Sequence, residues 1–206
     1  MAETAPLNQV DRVLARAAEA LGSLRRRYAV IGGLAVSARS VPRFTKDVDL
    51  AVVVSDDSDA EGLVLALRPH GFRVDVALEQ EAAERLATVR LASDEAGSEG
   101  VLLDLLFASS GIEREIVDAA DELQAVPGVT VPVASVAHLV ALKVLAFDPI
   151  RRPQDLADLV QLLKVATADD LARARSALAL VAERGFSRGK DLPAKLDSVL
   201  HALRSG

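Results

Sequence analysis

Apolar residues at three- and four-residue steps, Val10, Val13, Leu14, Ala17, Leu21 and Leu24, predict an amphipathic helix over residues 7–27. Its basic end, Arg25-Arg26-Arg27, suits a helix C-terminus. The apolar run Tyr28-Ala29-Val30-Ile31 predicts a strand stopped by Gly32-Gly33, followed by a short helix over 34–40. A second strand is expected over 48–54. The polar stretch Asp56–Asp59 then caps a helix over 60–69, which His70-Gly71 ends with glycine in the left-handed position. Further strands are expected over 72–77, 86–92 and 101–107, with 93–100 as a polar connection between the last two. A helix over 112–121, a Pro127-Gly128 turn and a strand over 129–133 follow. From Ser135 the pattern is all helical: 135–147, 154–165, 168–183 and 191–204, with Ser135 as a cap and Pro153 in a first turn. The fold class is therefore α/β (α+β). A mixed half over 1–133 is joined to a helical region over 134–206.

Composition narrows the classes. A 206-residue chain buries roughly 70% of its unfolded surface. With 50% apolar but only 3% aromatic residues, that core must be aliphatic. The absence of Cys excludes a disulfide scaffold, a zinc–thiolate site and a cysteine nucleophile. A net charge of -6 argues against binding nucleic acid through an overall basic surface. No apolar run reaches about 18 residues, so no membrane helix is expected. The start, Met1-Ala2-Glu3-Thr4-Ala5-Pro6, lacks the basic and apolar regions of a secretory signal, and a cytoplasmic protein is expected.

Three features carry chemistry. Asp47 and Asp49 flank Val48 at the start of a strand and project to one face, where they repel unless a cation sits between them. Mg²⁺ takes such carboxylates together with substrate phosphates. The plain alternative is a solvated acid pair. Asp104 interrupts the apolar run Val101–Phe107, and a buried carboxylate needs a partner or a metal. Three acids on two strands form the ligand set of two-metal phosphoryl transfer. The alternative for Asp104 is an edge strand with the acid in water. Gly32-Gly33, between a strand and a helix, lets backbone N–H groups approach phosphate oxygens, or is merely a turn.

Taken together, Gly32-Gly33, then Arg43-Phe44-Thr45-Lys46-Asp47-Val48-Asp49-Leu50, then Leu103-Asp104-Leu105 resembles the nucleotidyltransferase superfamily related to DNA polymerase beta. Within it the chain looks like the AbiEii/AbiGii toxin-type nucleotidyltransferases. Lys143 in Leu142–Ala146, and Asp155 and Asp158 in Gln154–Leu159, are similar to that family's later Lys and Asp-Leu elements. The resemblance covers about residues 28–165. It implies a mixed β-sheet flanked by helices, with a helical C-terminal region over the nucleotide. It implies transfer of a nucleoside monophosphate from an NTP to an acceptor hydroxyl, of an RNA 3′ end (tRNA-like) or of a protein, with pyrophosphate leaving. By the same resemblance Asp47 and Asp49 hold Mg²⁺ (or Mn²⁺), and Asp104 bridges metal and attacking hydroxyl. Gly32 and Gly33 cradle the β and γ phosphates, Lys143 neutralises triphosphate charge, and Asp155 orients Lys143 or the base, with Asp158 as the rival acid. A toxin with a cognate antitoxin, or a phage-defence protein, is implied. The rival is a non-catalytic nucleotide- or partner-binding module that keeps the fold.

Other residues stand lower. Arg43 contacts the triphosphate or the acceptor, or pairs with Asp47 at the surface. Thr45 shapes the loop before the strand, and Ser37 is the hydroxyl nearest the Gly-Gly turn. Arg151 and Arg152 read as a solvated basic face rather than as phosphate ligands, and Asp75 as a surface acid on an edge strand. His70, His138 and His201 are scattered and form no metal site. The basic clusters for a nucleic-acid acceptor are Arg25–Arg27, Arg184, Arg188 and Lys190. So few aromatics offer little base stacking.

Overall fold

A computed structural model describes residues 7–80, 85–94, 100–148 and 153–205. Met1 to Pro6, Arg151 and Arg152 lie outside the described residues, as does most of the expected 93–100 connection. The described residues form seven strands in one mixed sheet and eight α-helices.

Helix α1 (Gln9–Ser23) starts where Asn8 and Asp11 form a reciprocal capping box, and buries Val13, Leu14, Ala17 and Leu21. Strand β1 (Tyr28–Ile31) is buried throughout and runs straight into α2 (Gly32–Arg39). That helix starts at Gly32 itself rather than beyond the glycine pair. Strand β2 (Val48–Val52), helix α3 (Asp57–Leu67) and a 3₁₀ turn (Arg68–His70) follow, closed by left-handed Gly71. Strands β3 (Phe72–Gln80), β4 (Arg85–Ser93) and β5 (Leu102–Leu106) come next.

Helix α4 (Glu113–Asp118) is shorter than the pattern predicts, because the chain turns into an unpredicted strand, β6 (Asp121–Val126), paired antiparallel with β7 (Val129–Val133). β6 is an edge strand. Its Asp121, Glu122 and Gln124 face water while Val126 is buried, so it carries little apolar signal.

The sheet order is β3-β4-β5-β2-β1-β7-β6. β5 runs parallel to β2 on one side and antiparallel to β4 on the other, which places it in the sheet interior. Asp104 is thus 8% exposed and not on an edge. Asp75, on edge strand β3, is exposed as expected.

Helices α5 (Val136–Ala146), α6 (Pro153–Val165), α7 (Ala168–Glu183) and α8 (Leu192–Ser205) complete the chain. α5 is the central member and packs on α2, α6, α7 and α8. One aliphatic core runs from α1 through the sheet to α8. None of the described helices is long and apolar enough to cross a membrane.

Candidate active site

Strand register builds one wall of the site. The parallel β2–β5 pair sets Asp49 opposite Asp104, and the antiparallel β4–β5 pair sets Arg90 opposite Asp104. Directly opposed residues point to the same face. Asp49, Asp104 and Arg90 therefore form a row across three neighbouring strands. Arg90 donates from Nε to Asp104 Oδ1 at 2.8 Å and from Nη2 to Oδ2 at 2.7 Å, a bidentate pair that offsets the cost of the buried carboxylate. The hydrogen bond to Asp104 raises the Arg90 pKa further above its already high range, and the charges of Asp104, Asp47 and Asp49 add to this.

The glycine turn closes one end of that row. Ile31 is the N-cap of α2 and gives it no side-chain cap, so the helix start offers its N–H groups to an anion. Gly32 has φ 63°. A Cβ there would lie 2.6 Å from Asp49 Cγ and collide with its carboxylate. A Cβ on Gly33 would meet Thr45 Oγ1 at 2.7 Å and Arg43 Nη2 at 2.8 Å. Gly32 thus makes room for the Asp49 carboxylate on β2, and Gly33 for the loop before that strand. Ser37 does not reach toward the cleft for a ligand. Its Oγ accepts from the Arg43 N–H at 3.2 Å and so pins that loop.

A second wall comes from the helices. Lys143 on α5 reaches Asp155 Oδ1 and Asp158 Oδ2 on α6, both at 2.7 Å. Arg43 also holds Asp158, with Nη2 donating to Oδ2 at 2.8 Å and Nε 2.6 Å from Oδ1. Gln154 Nε2 donates to Asp158 Oδ1 at 3.2 Å. Burial alone would push the Asp158 pKa up. Lys143, then Arg43 and Gln154, outweigh it and hold the carboxyl below its ordinary range.

The two walls face each other across a cleft of about 530 Å³. Asp47, Asp49, Asp104, Gly32, Gly33, Arg43, Thr45, Lys143 and Asp155 all line it, with Phe44, Lys46, Arg90, Pro153 and Gln154. Asp158 does not line it, which separates the two rival acids: Asp155 borders the cleft and Asp158 braces the residues around it. A recess of about 130 Å³, lined by Leu106, Leu139, Leu142 and Ala146 together with Ser109, Ser110, Asp155 and Arg188, opens beside Gly32, Asp49 and Lys143. On the other side, a cavity of about 930 Å³ shares residues 43–46 with the cleft and extends along the start of α1 past Arg12.

Two expectations meet a different arrangement among the described residues. Arg43 pairs with Asp158 and not with Asp47, because residues 41–47 fold back over α2 toward α6. Asp47, Asp49 and Asp104 do not form a three-acid metal cluster. Both Asp104 oxygens are engaged by Arg90, and among the described residues no group of three acids or histidines is arranged to hold an ion. Asp47 and Asp49 offer a divalent ion hard oxygen donors at the cleft; Asp104, both of whose oxygens accept from Arg90, offers it fewer free lone pairs.

Arg90 and the bracing role of Asp158 were not apparent from the sequence. Arg90 could have been found only by aligning β4 with β5. The expected basic clusters are partly absorbed by the fold: Arg26 pairs with Asp59 at 2.7 Å, Arg184 with Glu115 at 2.6 Å, and Arg27 with Asp118. Lys190 donates to the Leu145 carbonyl at 2.6 Å. His138 Nδ1 lies 2.9 Å from Ser135 Oγ at the start of α5, away from the cleft lining.

A family model described as the nucleotidyl transferase AbiEii toxin of type IV toxin–antitoxin systems matches residues 12–203. No curated protein matches the chain by sequence. Among solved structures, the chain is similar to an antigenic nucleotidyltransferase-like protein from Paracoccidioides brasiliensis, at 23% identity and a TM-score of 0.54, over 94% of this chain and 95% of that one. It is similar to ANT(2")-Ia in complex with adenylyl-2"-tobramycin, at 17% identity and a TM-score of 0.54, over 85% and 98% of the two chains. It is also similar to the lincomycin-bound lincosamide antibiotic adenylyltransferase LnuA, at 12% identity and a TM-score of 0.50, over 78% and 100%. At these identities the structural matches speak for the fold.

Proposed function

The chain belongs to the AbiEii family of nucleotidyl transferase toxins and is a transferase, and from that premise we propose how its cleft moves a nucleoside monophosphate from an NTP to an acceptor hydroxyl. The observation that carries the proposal is the uncapped start of α2 at Gly32-Gly33, set between Asp49 and Lys143 in one cleft. The triphosphate lies along that helix start. Its β and γ oxygens accept from the backbone of Gly32 and Gly33, and Lys143 and Arg43 balance their charge. Asp155 and Asp158 hold Lys143 in place, and Asp158 also holds Arg43. Thr45 and Ser37 keep residues 43–47 in register against α2. The base enters the recess of Leu106, Leu139, Leu142 and Ala146. Asp47 and Asp49 would hold Mg²⁺ or Mn²⁺, which neutralises charge building up on the transferred phosphoryl group. The acceptor hydroxyl gives up its proton to solvent water as its oxygen bonds to the α-phosphorus and the α–β bridging bond breaks, and pyrophosphate leaves. The part through residue 133 thus carries Asp47, Asp49, Asp104 and Arg43, and the helical part from residue 134 carries Lys143, Asp155 and Asp158.

The acceptor approaches through the larger cavity, whose border carries Arg12, Arg43 and Lys46. With Arg43 paired to Asp158 and the Asp11 carboxylate on the same border, Arg12 and Lys46 leave that border net positive. That charge favours an anionic acceptor, an RNA 3′ end, over a polycationic aminoglycoside. It also ranks a protein hydroxyl second. In the cell the reading is of a cytoplasmic toxin neutralised by a cognate antitoxin.

The test uses the four NTPs labelled at the α or the γ phosphate, with Mg²⁺, total RNA and total protein. Nucleotidyl transfer moves α label and never γ label to the acceptor, and releases γ label as pyrophosphate. Tight NTP binding with no α transfer to either acceptor pool sinks the proposal in favour of a binding module.

A further inference from the structure

Arg90 lies outside every expectation drawn from the sequence, and its place is specified by backbone pairing. It sits directly opposite Asp104 on β4, and Asp104 sits directly opposite Asp49 on β2. The Asp104 side chain is 11% exposed, whereas that of Arg90 is 41% exposed and borders the cleft. The guanidinium spends two N–H donors on Asp104 and has five in all. Its remaining N–H edge therefore belongs to the open, cleft side of the pair. A divalent ion brought to Asp104 would meet this fixed positive charge and compete for carboxylate oxygens already engaged.

We propose that Arg90 is the resident cation of Asp104: it takes the position at that carboxylate that a divalent ion would take, and its other edge binds a phosphate oxygen of the nucleotide. Asp104 is then a positioning residue. It orients a guanidinium, a rigid planar fork well matched to phosphate. The divalent ion is left to Asp47 and Asp49. This row places protein charge on one side of the transferred phosphoryl group and the ion on the other. The inference rests on the nucleotidyl-transfer reading only for the identity of the phosphate ligand.

The first arm of the test measures Mn²⁺ binding to the nucleotide-free full chain by electron paramagnetic resonance. Asp49→Asn should weaken Mn²⁺ at least tenfold, Asp104→Asn should leave it within twofold of wild type, and Arg90→Gln should tighten it several-fold or add a second ion by freeing Asp104. The second arm measures tripolyphosphate binding with chelator present. Arg90→Gln should weaken it about tenfold, the worth of one charge-assisted hydrogen bond. Arg90→Lys should recover part of that loss.

Removing Arg90 alone strands a buried acid, so the double variant Arg90→Gln/Asp104→Asn guards against misfolding. It should keep wild-type Mn²⁺ affinity and the weakened phosphate affinity. The proposal is overturned if Asp104→Asn costs as much Mn²⁺ affinity as Asp49→Asn, or if the double variant binds tripolyphosphate like wild type. If both arms come out as expected while α label is never transferred, Arg90 keeps its assignment and the transferase mechanism falls.

Discussion

The two walls of the cleft are built by different means. On the sheet side, Asp49, Asp104 and Arg90 are placed by backbone pairing, each opposite the next. On the helical side, Arg43, Lys143, Asp155 and Asp158 are placed by their charges, through ion pairs that span up to 115 residues of chain. Ladder hydrogen bonds hold the first wall even if one side chain changes. The second wall exists only while its charges balance. Outside the Asp104–Arg90 pair, the sheet wall should therefore tolerate isosteric neutralisation, as at Asp49, with its fold intact and its chemistry lost. The helical wall should lose stability and substrate affinity together.

The largest effect expected is at the joint between the walls. Gly32→Ala forces a Cβ into the Asp49 carboxylate from a backbone φ of 63°. A displacement of about 1 Å at such a site costs about 100-fold in rate. Transfer should fall by that factor while the far-ultraviolet circular dichroism stays native. A wild-type rate would show that the tight glycine turn is dispensable.

Asp158→Asn comes next. It removes the shared partner of two cations at a position 1% exposed. Breaking such a buried pair costs about 3 kcal/mol, which for a chain of this size is a fall of about 6–12 °C in melting temperature. Asp49→Asn, on the sheet wall, should shift the melting point far less. Equal shifts would erase the distinction between the walls.

The pH response follows from the same residue. The Asp158 pKa is lowered in the fold, so its stabilisation is complete above its unfolded value of about 4 and is lost as pH falls through the folded value. The gap in melting temperature between wild type and Asp158→Asn should be widest near neutrality and close below about pH 4. A gap that persists in acid would mean the carboxylate charge is not what matters there.

The smallest effect lies at the other end of β1. Tyr28 is the sole tyrosine and is buried, and burial, then the Glu122 charge, push its pKa to about 12. A raised pKa means its contribution is complete below about pH 10 and is lost as pH rises through about 12. Tyrosinate absorbance should titrate near 12 in native protein and near 10 in denaturant. A native midpoint near 10 would show that this end of the sheet is open to water.

The same contrast explains what the sequence made legible. The acids of β2 and β5 stand out because an aspartate among Val, Leu and Ala breaks the apolar run of a buried strand. Arg90 does not stand out. In Arg85–Ser93 it occupies an ordinary alternate position, and only the register with β5 reveals its partner. Asp155 and Asp158 lie three apart on one helix face, and spacing alone cannot say which meets the cleft. Arg43, arriving from 115 residues away, pairs with Asp158, while Asp155 borders the cleft. The strand β6 was hidden because an edge strand with one wet face needs few apolar residues. The aliphatic core, by contrast, followed closely from the hydrophobic pattern.

The central claim is that this cleft transfers a nucleoside monophosphate with Asp49 at its reacting end. The most direct test compares wild type and Asp49→Asn, both shown to be folded, for transfer of α label from saturating NTP to RNA. The account predicts transfer by wild type and a loss of at least about 100-fold in the variant that more NTP does not restore. Equal transfer by the two proteins would contradict it.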